Sequence, residues 1–421
     1  MKSNYLVATA LPLCLLLSAC GGGGSGGGGG VNSIPPAPPT APVPPPPTPP
    51  PPPPPPPPPI DTSTAEFGRS EGIAHANAAS AYSAGATGQG ITVGIIDSGI
   101  DSGSAEFAGR ISAASQDVAG NRGLDDIGGH GTSVTGVLGA ARNDLEIVGM
   151  AFDATLLVLR TDEPGSCANV DPDEGCTHST SDIARGIDIA IQNNARVVNI
   201  SLGGGDFTST MHAAIGRAAA AGVVVVISAG NDSAAQPDPL SLVAITPEAN
   251  GHVIIAGSVG QNDVISDFSN RAGTGQAAYL AALGERVRSF DHEGTAFLFS
   301  GTSYSTPQIT GAVALLAQAF PNLGGGEIVQ LLFQTARDAG AAGDDAVYGQ
   351  GILDLFEAFQ PQGQTVLAGS NAPVDFGINA TLSAPMGDAQ QSGLGAVILD
   401  GYDRAFAIDL ASSVQRAIQP R

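Results

Sequence analysis

The sequence predicts an α/β protein whose central, mainly parallel sheet is covered by helices on both faces. Short continuous apolar runs alternate with helical patterns from residue 91 to residue 256. The runs are apolar throughout rather than alternating with polar residues, which is typical of parallel strands buried on both faces. Strands and helices that follow one another in this way form layered α/β folds. With 58 glycines, 5% aromatic residues and no Trp, we expect a closely packed core of Ala, Val, Ile and Leu.

The individual elements follow from the same periodicities. Strands are predicted at Ile91–Asp97, Leu156–Leu159, Val197–Ile200, Val223–Ile227 and Val253–Ala256. Helices are predicted around Ala74–Ser83 and at Val134–Ala141, Ser181–Asn194, Met211–Ala221 and Ile309–Phe320. Ser181 is expected to cap its helix, because a serine oxygen accepts the unpaired N–H groups of a first turn. Loops after parallel strands build binding sites, so Asp97 and Asn231 are expected at one edge of the sheet.

Residues 1–20 have the pattern of an export signal. Lys2 precedes the apolar run Tyr5–Leu17, which is too short to span a bilayer comfortably. The run ends in Leu17-Ser18-Ala19-Cys20-Gly21, which resembles the lipobox of bacterial lipoproteins. The resemblance implies that Cys20 becomes a lipidated N-terminus, which would anchor the chain to a membrane. The alternative is ordinary cleavage after Ala19, which leaves a free Cys20.

A low-complexity tether follows the signal. Residues 21–30 are almost all Gly, and residues 35–59 are almost all Pro. The Pro tract is expected to form a polyproline II spacer of roughly 75 Å, at about 3.1 Å per residue. The predicted organisation is therefore a signal at 1–20, a disordered tether at 21–60, a folded domain at 61–361 and an extension of uncertain structure at 362–421. A ligand for a Pro-binding module is the alternative reading of the tether.

The charge balance excludes several kinds of partner. The chain of 421 residues has 16 basic and 39 acidic residues, a net charge of −23. Such a chain is not expected to bind nucleic acid or anionic membrane surfaces. No cofactor is predicted to be required. Calcium is a candidate ligand of Asp125, Asp126 and the acidic loop Asp171–Glu174, although solvated loop charges are the commoner explanation.

Two cysteines in the folded domain are expected to pair. Cys167 and Cys176 lie nine positions apart in a polar, acidic loop. In an oxidising compartment they would close a short loop and stabilise the fold by about 2–3 kcal/mol. Two free thiols are the alternative. A zinc site is less favoured, because only His178 lies nearby in the sequence.

Three residues form a candidate set for nucleophilic catalysis. Ser303 lies in Phe299–Pro307, a glycine turn followed by an apolar helical run, where Thr302 and Ser303 can cap the helix. The helix start supplies N–H groups to an oxyanion formed by attack of Ser303 on a carbonyl. His130 can accept the Ser303 proton, and Asp97 can fix the imidazole tautomer.

A second group of residues is expected to bind the reacting substrate. The Asn231 side-chain amide can donate to the oxyanion together with the Ser303 N–H. The strand that runs into glycines at 199–204 can pair with an extended peptide. The walls of the first subsite are small and neutral, which favours an apolar or medium-sized side chain; they are Ser201, Leu202, Gly203, Gly204, Ala229 and Gly230.

The motifs around these residues together resemble the subtilisin family of serine peptidases. They are Asp97-Ser98-Gly99-Ile100, His130-Gly131-Thr132, Ser228-Ala229-Gly230-Asn231 and Gly301-Thr302-Ser303-Tyr304-Ser305-Thr306-Pro307, in that order. The resemblance covers about residues 70–360 and implies a three-layer sandwich and a serine endopeptidase acting on proteins or peptides. It also implies Asp97, His130 and Ser303 as the triad and Asn231 as the oxyanion amide.

The layout also resembles one subgroup of that family and departs from the usual pattern in two places. Lipobox, Pro tract and peptidase domain resemble the passenger domains of Gram-negative subtilase autotransporters, which implies an outer-membrane or cell-surface location, or release from it. Tyr304 stands where many members have Met after the nucleophile. Only about 30 residues separate the Pro tract from the first strand, which leaves no room for the usual inhibitory pro-domain.

Two rival functions remain at this stage. A degenerate peptidase could serve as a non-catalytic surface module, although all three triad residues are present. An esterase-like serine hydrolase is disfavoured, because Ser303 lacks the Gly-x-Ser-x-Gly pattern and the order Asp-His-Ser does not fit that fold.

Overall fold

A seven-stranded sheet forms the centre of the computed structural model, which describes residues 60–169, 175–205, 208–374, 380–381, 395–410 and 414–415. Its strands are β1 (Thr92–Asp97), β2 (Gln116–Asp117), β3 (Thr155–Arg160), β4 (Val197–Ile200), β5 (Val224–Ser228), β6 (Val253–Val259) and β7 (Tyr279–Leu283). They lie in the order β2-β3-β1-β4-β5-β6-β7, and every neighbouring pair is parallel. The signal, Cys20, residues 21–59 of the tether and Asp171–Glu174 lie outside the described residues.

Helices cover both faces of this sheet. They are α1 (Ala65–Arg69), α2 (Glu71–His75), α3 (Ala79–Ser83), α4 (His130–Gly139), α5 (Thr180–Gln192), α6 (Ser209–Ala220), α7 (Thr302–Ala319), α8 (Gly325–Gln334) and α9 (Leu355–Ala358). Successive strand residues point to opposite faces, so Ile95 packs in the core with α4 and α7, and Ile96 in the core with α5 and α6. The three-layer α/β prediction is therefore confirmed.

Several predicted boundaries differ from the structure. Ser179, not Ser181, caps α5, because its hydroxyl accepts the Asp182 N–H at 3.2 Å. The predicted helix around Ala74–Ser83 is two short helices, α2 and α3. The helix expected at Ile309–Phe320 begins at Thr302 and so includes Ser303, with Gly301 at the cap position. Serine and threonine are frequent caps, but which of several candidates caps a helix depends on the path of the chain before it.

Small β structures occur outside the main sheet. A hairpin of β8 (Val287–Phe290) and β9 (Ala296–Phe299) precedes α7. Near the C-terminus, β10 (Val366–Leu367), β12 (Gly395–Leu399) and β13 (Ala405–Asp409) form an antiparallel sheet. The short β11 (Ala380–Thr381) pairs with β14 (Val414–Gln415). Among the described residues, no helix combines the length and apolarity needed to cross a membrane.

Residues of the C-terminal extension around Arg404 pack against the domain at 61–361, within one compact unit. Arg404 is fully buried and bonds the Asp400 carboxylate at 2.7 Å and the Ala358 carbonyl at 2.6 Å. Its guanidinium also lies 4.7 Å from the centre of the Phe320 ring, which follows α7. A buried arginine is tolerated only when its charge is paired and its donors are satisfied, and both conditions are met here.

Candidate active site

The closest contact of the predicted triad joins Asp97 to His130. Asp97 ends β1 and is 1% exposed, and His130 is the first residue of α4. The Asp97 Oδ1 atom lies 2.8 Å from His130 Nδ1 and also accepts the Ser98 N–H at 2.8 Å. A Cβ built on Gly131 would lie 2.3 Å from the Gly99 carbonyl oxygen, so only glycine lets α4 approach β1 this closely. The contact therefore depends on the residue after His130.

The electrostatics of this pair favour a charged imidazole. Burial lowers the pKa of His130, but the charge and hydrogen bond of Asp97, assisted by the Asp126 charge, raise it above its ordinary value. Burial raises the pKa of Asp97, but His130, His178 and the Ser98 N–H together lower it. One third of the His130 side chain remains exposed, so the ring is accessible from solvent.

Ser303 lies in the first turn of α7, but its hydroxyl does not bond to His130. The Ser303 Oγ donates to the Ser201 carbonyl at 3.1 Å, and the Ser201 Oγ donates to the Ser303 carbonyl at 2.9 Å. Within the described part of the chain, the predicted Ser303–His130 hydrogen bond is absent. A hydroxyl has one proton to donate, and rotation about the Cα–Cβ bond selects its acceptor. The start of α7 still lies beside the imidazole, since the Tyr304 and His130 ring centres are 6.2 Å apart.

Tyr304 holds the start of α7 against the elements around it. Its hydroxyl lies 3.0 Å from the Ser133 hydroxyl in α4, and its ring stacks on Phe299 at 5.1 Å between centres. The side chain is buried, so its role in the structure is to pack α7 against α4 and the β8–β9 hairpin.

Asn231 and the Ser303 N–H border one small space at the start of α7. The Asn231 Oδ1 atom accepts two hydrogen bonds from Thr302, one from its N–H at 2.8 Å and one from its hydroxyl at 2.9 Å. These bonds fix the Asn231 amide at the start of α7. A Cβ built on Gly301 would lie 3.5 Å from Asn231 Nδ2 and 3.7 Å from the Ser303 nitrogen. The space that glycine leaves open is therefore lined by two nitrogens that can donate to an oxygen.

The predicted substrate-binding residues follow two neighbouring strands. Ser201–Gly204 follows β4 and Ala229–Gly230 follows β5, and the two strands pair directly. A Cβ built on Gly203 would lie 3.9 Å from the Gly230 Cα, so the two segments run close together. Ser201 and Ala229 are buried, so these residues offer backbone rather than side chains to a ligand.

An acidic side chain outside the predicted set also contacts these two segments. Asp238 Oδ2 accepts the Gly204 N–H at 2.8 Å, and Oδ1 would lie 2.4 Å from a Cβ on Gly230. Burial raises the pKa of this carboxyl group. Asp238 lies beyond both predicted segments in the sequence, and only the fold brings it between them.

The predicted disulfide is present and packs against the loop before His130. Cys167 and Cys176 are joined with an S–S distance of 2.15 Å, so the alternatives of free thiols and a zinc pair are wrong. The Cys176 sulfur would lie 2.7 Å from a Cβ on Gly128. The bond therefore supports the segment that leads into α4.

Two polar residues near the site were not predicted to act on the triad. Thr161 connects His178 with Asp97. Its hydroxyl lies 2.9 Å from His178 Nδ1, and its N–H donates to the Asp97 carbonyl. Burial lowers the pKa of His178. Asp126, treated as a calcium candidate or a solvated loop charge, is buried and accepts four hydrogen bonds. Its position just before a helix start was the available signal.

No group of three or more His, Cys, Asp or Glu residues that could hold a metal occurs among the described residues. Asp125 contributes its backbone carbonyl to Arg160 at 2.6 Å. The remaining calcium candidates, Asp171–Glu174, lie outside the described residues.

Comparison with known proteins matches residues 88–351 to the subtilase family, peptidase S8. The chain is 30% identical to a thermostable alkaline protease of Halalkalibacterium halodurans, covering 69% of this chain and 73% of that protein. It is 30% identical to subtilisin E of Bacillus subtilis over 69% of this chain and 71% of that protein. It is 29% identical to subtilisin Savinase of Lederbergia lenta over 67% of this chain and 96% of that protein.

The geometry of the Asp97–His130 pair predicts that the pKa of His130 lies above the ordinary value of a histidine. Replacing Asp97 by Asn removes the neighbouring charge, so the pKa of His130 should fall. NMR titration of the histidine ring signals measures both values. Asp188→Asn, which alters a surface pair with Arg217, is the control and should leave the His130 pKa unchanged. Equal values in Asp97→Asn and the parent would contradict the assignment.

Proposed function

Since the chain belongs to the subtilase family and is a subtilisin-like serine endopeptidase, we propose that it cleaves peptide bonds through an acyl-enzyme on Ser303. Asp97, His130 and Ser303 form the catalytic triad of this proposal, and Asn231 supplies the oxyanion amide. The observation that carries it is the 2.8 Å contact between Asp97 Oδ1 and His130 Nδ1, beside the helix start that bears Ser303.

The first half of the reaction forms the acyl-enzyme. When a peptide enters, the Ser303 hydroxyl rotates away from the Ser201 carbonyl and donates to His130 Nε2. His130 takes the proton as Oγ attacks the carbonyl carbon, and Asp97 stabilises the imidazolium that results. The carbonyl oxygen gains the negative charge and moves into the space beside Gly301, where Asn231 and the Ser303 N–H donate to it. Collapse of this intermediate breaks the C–N bond, and His130 returns the proton to the leaving amine.

The second half of the reaction releases the product. Water donates a proton to His130 and attacks the acyl carbon, the same oxyanion site receives the charge, and the proton passes back to Ser303 as the ester breaks. Proteins or peptides in extended conformation fit this site, because backbone groups at Ser201–Gly204 can pair with a substrate strand.

Replacement of Ser303 by Ala tests the nucleophile. We expect the parent to react covalently with a fluorophosphonate probe and Ser303→Ala to lose this labelling, because the only change is the attacking oxygen. Ser300→Ala is the matched control, since Ser300 lies in the same turn but its hydroxyl accepts the Arg286 N–H. Gel fluorescence and circular dichroism check labelling and folding. Equal labelling of the parent and Ser303→Ala would refute Ser303 as the nucleophile.

An unlabelled, folded parent that also fails to cleave denatured casein would contradict the triad proposal as a whole. That result would favour the rival reading of the domain as a non-catalytic surface module. Casein cleavage by Ser303→Ala at the parental rate would be equally damaging to the proposal.

Replacement of Asn231 by Asp tests the oxyanion site. Asp keeps the acceptor for the Thr302 N–H but loses the donor and adds a charge that repels an oxyanion. We expect kcat to fall by about 10²–10³-fold or more with little change in KM, a magnitude established for subtilisin itself rather than derived from this chain. Steady-state kinetics on a chromogenic peptide measure both constants. A rise in KM at constant kcat would instead place Asn231 in ground-state binding.

Export and lipid anchoring at Cys20 form a separate part of the proposal, supported by the lipobox-like motif and by the layout that resembles autotransporter passengers. We expect the mature protein, purified from membranes of a Gram-negative host, to begin at an acylated Cys20. Intact mass spectrometry and detergent-phase partition measure this, and Cys20→Ser should lose both the added mass and the partition. An unmodified chain that begins at Cys20 would contradict the anchor but not export.

A further inference from the structure

A buried carboxylate lies at the junction of the two elements that carry Asp97 and His130. Asp126 is 3% exposed, and no Arg or His among the described residues forms an ion pair with it. Its Oδ1 atom accepts the Ser98 hydroxyl at 2.8 Å and the Gly129 N–H at 2.9 Å. Its Oδ2 atom accepts the Thr132 N–H and the Thr132 hydroxyl, both at 2.7 Å. Four donors therefore replace the water that a solvated carboxylate would bind.

These donors belong to both sides of the site. Ser98 directly follows Asp97, Gly129 directly precedes His130, and Thr132 is in the first turn of α4. The Ser98 hydroxyl also accepts the Gly131 N–H at 3.0 Å, so Ser98 connects Asp126 with α4 from the β1 side. The chain segments that carry the carboxylate and the imidazole are thus tied to one buried group.

Asp126 also performs the capping that the helix cannot perform by itself. The cap position of α4 is Gly129, which has no side chain to offer to the free N–H groups of the first turn. Asp126 accepts one of these, the Thr132 N–H, from outside the helix. A carboxylate at this end also interacts favourably with the helix dipole.

We propose that Asp126 is a positioning residue of the active site, which fixes the separation of Asp97 and His130 and adds a second negative charge that stabilises the imidazolium. The inference rests on the proposed function, because it assigns His130 a charged state during the reaction. An ordinary helix cap would stabilise the fold alone, whereas this residue acts on the site through both geometry and charge.

The charge contribution of Asp126 can be separated from its surroundings. Titratable groups face His130 or the residue before it from each element packed there. They are Asp97 at the end of β1, Asp126 before α4, His178 before α5, Asp291 and His292 in the β8–β9 turn, and Tyr304 in α7. Asp97 and Asp126 raise the pKa of His130 against the effect of burial. Removing the Asp126 charge must therefore lower the pKa of His130.

The test is the variant Asp126→Asn, which keeps the shape of the side chain and loses its charge. His130 must be neutral to act as a base, so the acidic limb of kcat/KM against pH reports its pKa in the free enzyme. We expect this limb to move to lower pH, because removal of the Asp126 charge lowers the pKa of His130. We also expect kcat to fall by up to about 10²-fold. In Asp126→Asn one carboxylate oxygen is replaced by an NH₂ group, which cannot accept the hydrogen bonds that this oxygen accepts in the unaltered protein.

Two further variants distinguish the effect of Asp126 on the position of the catalytic groups from its effects on their charge and on the stability of the fold. Ser98→Ala keeps the Asp126 charge but removes the links through the Ser98 hydroxyl, so kcat should fall while the acidic limb stays in place. Asp354→Asn is the control for stability, because Asp354 is also buried and caps α9 through the Phe356 N–H at 2.9 Å, and its pairing with Arg337 at 3.4 Å lies away from His130. This variant should lower the melting temperature without shifting the acidic side of the pH profile of kcat/KM.

The inference fails if Asp126→Asn leaves both the limb and kcat at parental values, or changes only the melting temperature as Asp354→Asn does. NMR titration of His130 in Asp126→Asn gives a second readout that needs no turnover. If the folded parent neither cleaves peptides nor reacts with a fluorophosphonate, the proposed function fails. The His130 titration then still decides whether Asp126 acts on the imidazole: a lowered pKa supports that action, and an unchanged pKa overturns it.

Discussion

The hydrogen bond between Asp97 and His130 constrains the rest of the structure most strongly. It requires a strand end and a helix start to approach until a Cβ at position 131 would clash with backbone at Gly99. It also requires a buried carboxylate, whose desolvation must be offset by the imidazole and by the Ser98 N–H. The parallel sheet meets both needs, since β1 ends inside the protein with α4 beside it.

The site is built from the first turns of two helices, and both helices are capped in the same way. Both α4 and α7 have glycine at the cap position, Gly129 and Gly301, and neither glycine can cap its helix with a side chain. Side chains outside the helices do so instead, with the nearby Asp126 accepting the Thr132 N–H and the distant Asn231 accepting the Thr302 N–H. Gly301 leaves open space beside Ser303, whereas a Cβ on Gly129 would lie 2.8 Å from His292 Nδ1. The groups that compensate for the missing caps also orient the residues that act there.

Much of the fold could be predicted because buried parallel strands have a simple pattern. The apolar runs that form β1 and β3–β6 are short continuous segments of the sequence. They are apolar throughout because both faces are buried, as Ile95 and Ile96 show by packing in the cores on opposite sides of the sheet. β7 and the β8–β9 hairpin were missed, as was the cap of α5. Ser179 and Ser181 fit a cap equally well in sequence, and only the path of the preceding chain selects Ser179.

The sequence by itself determined the family, the layered fold and the candidates Asp97, His130, Ser303 and Asn231, because each lies in a short motif whose spacing reflects local chemistry. The tertiary structure decided which distant groups surround them. Asp238 and His178 carry no local signature that marks their roles, and Asp126, whose place before a helix start is a local signal, reaches Ser98 only through the fold. The orientation of the Ser303 hydroxyl is likewise tertiary, since a bond rotation chooses between Ser201 and the imidazole.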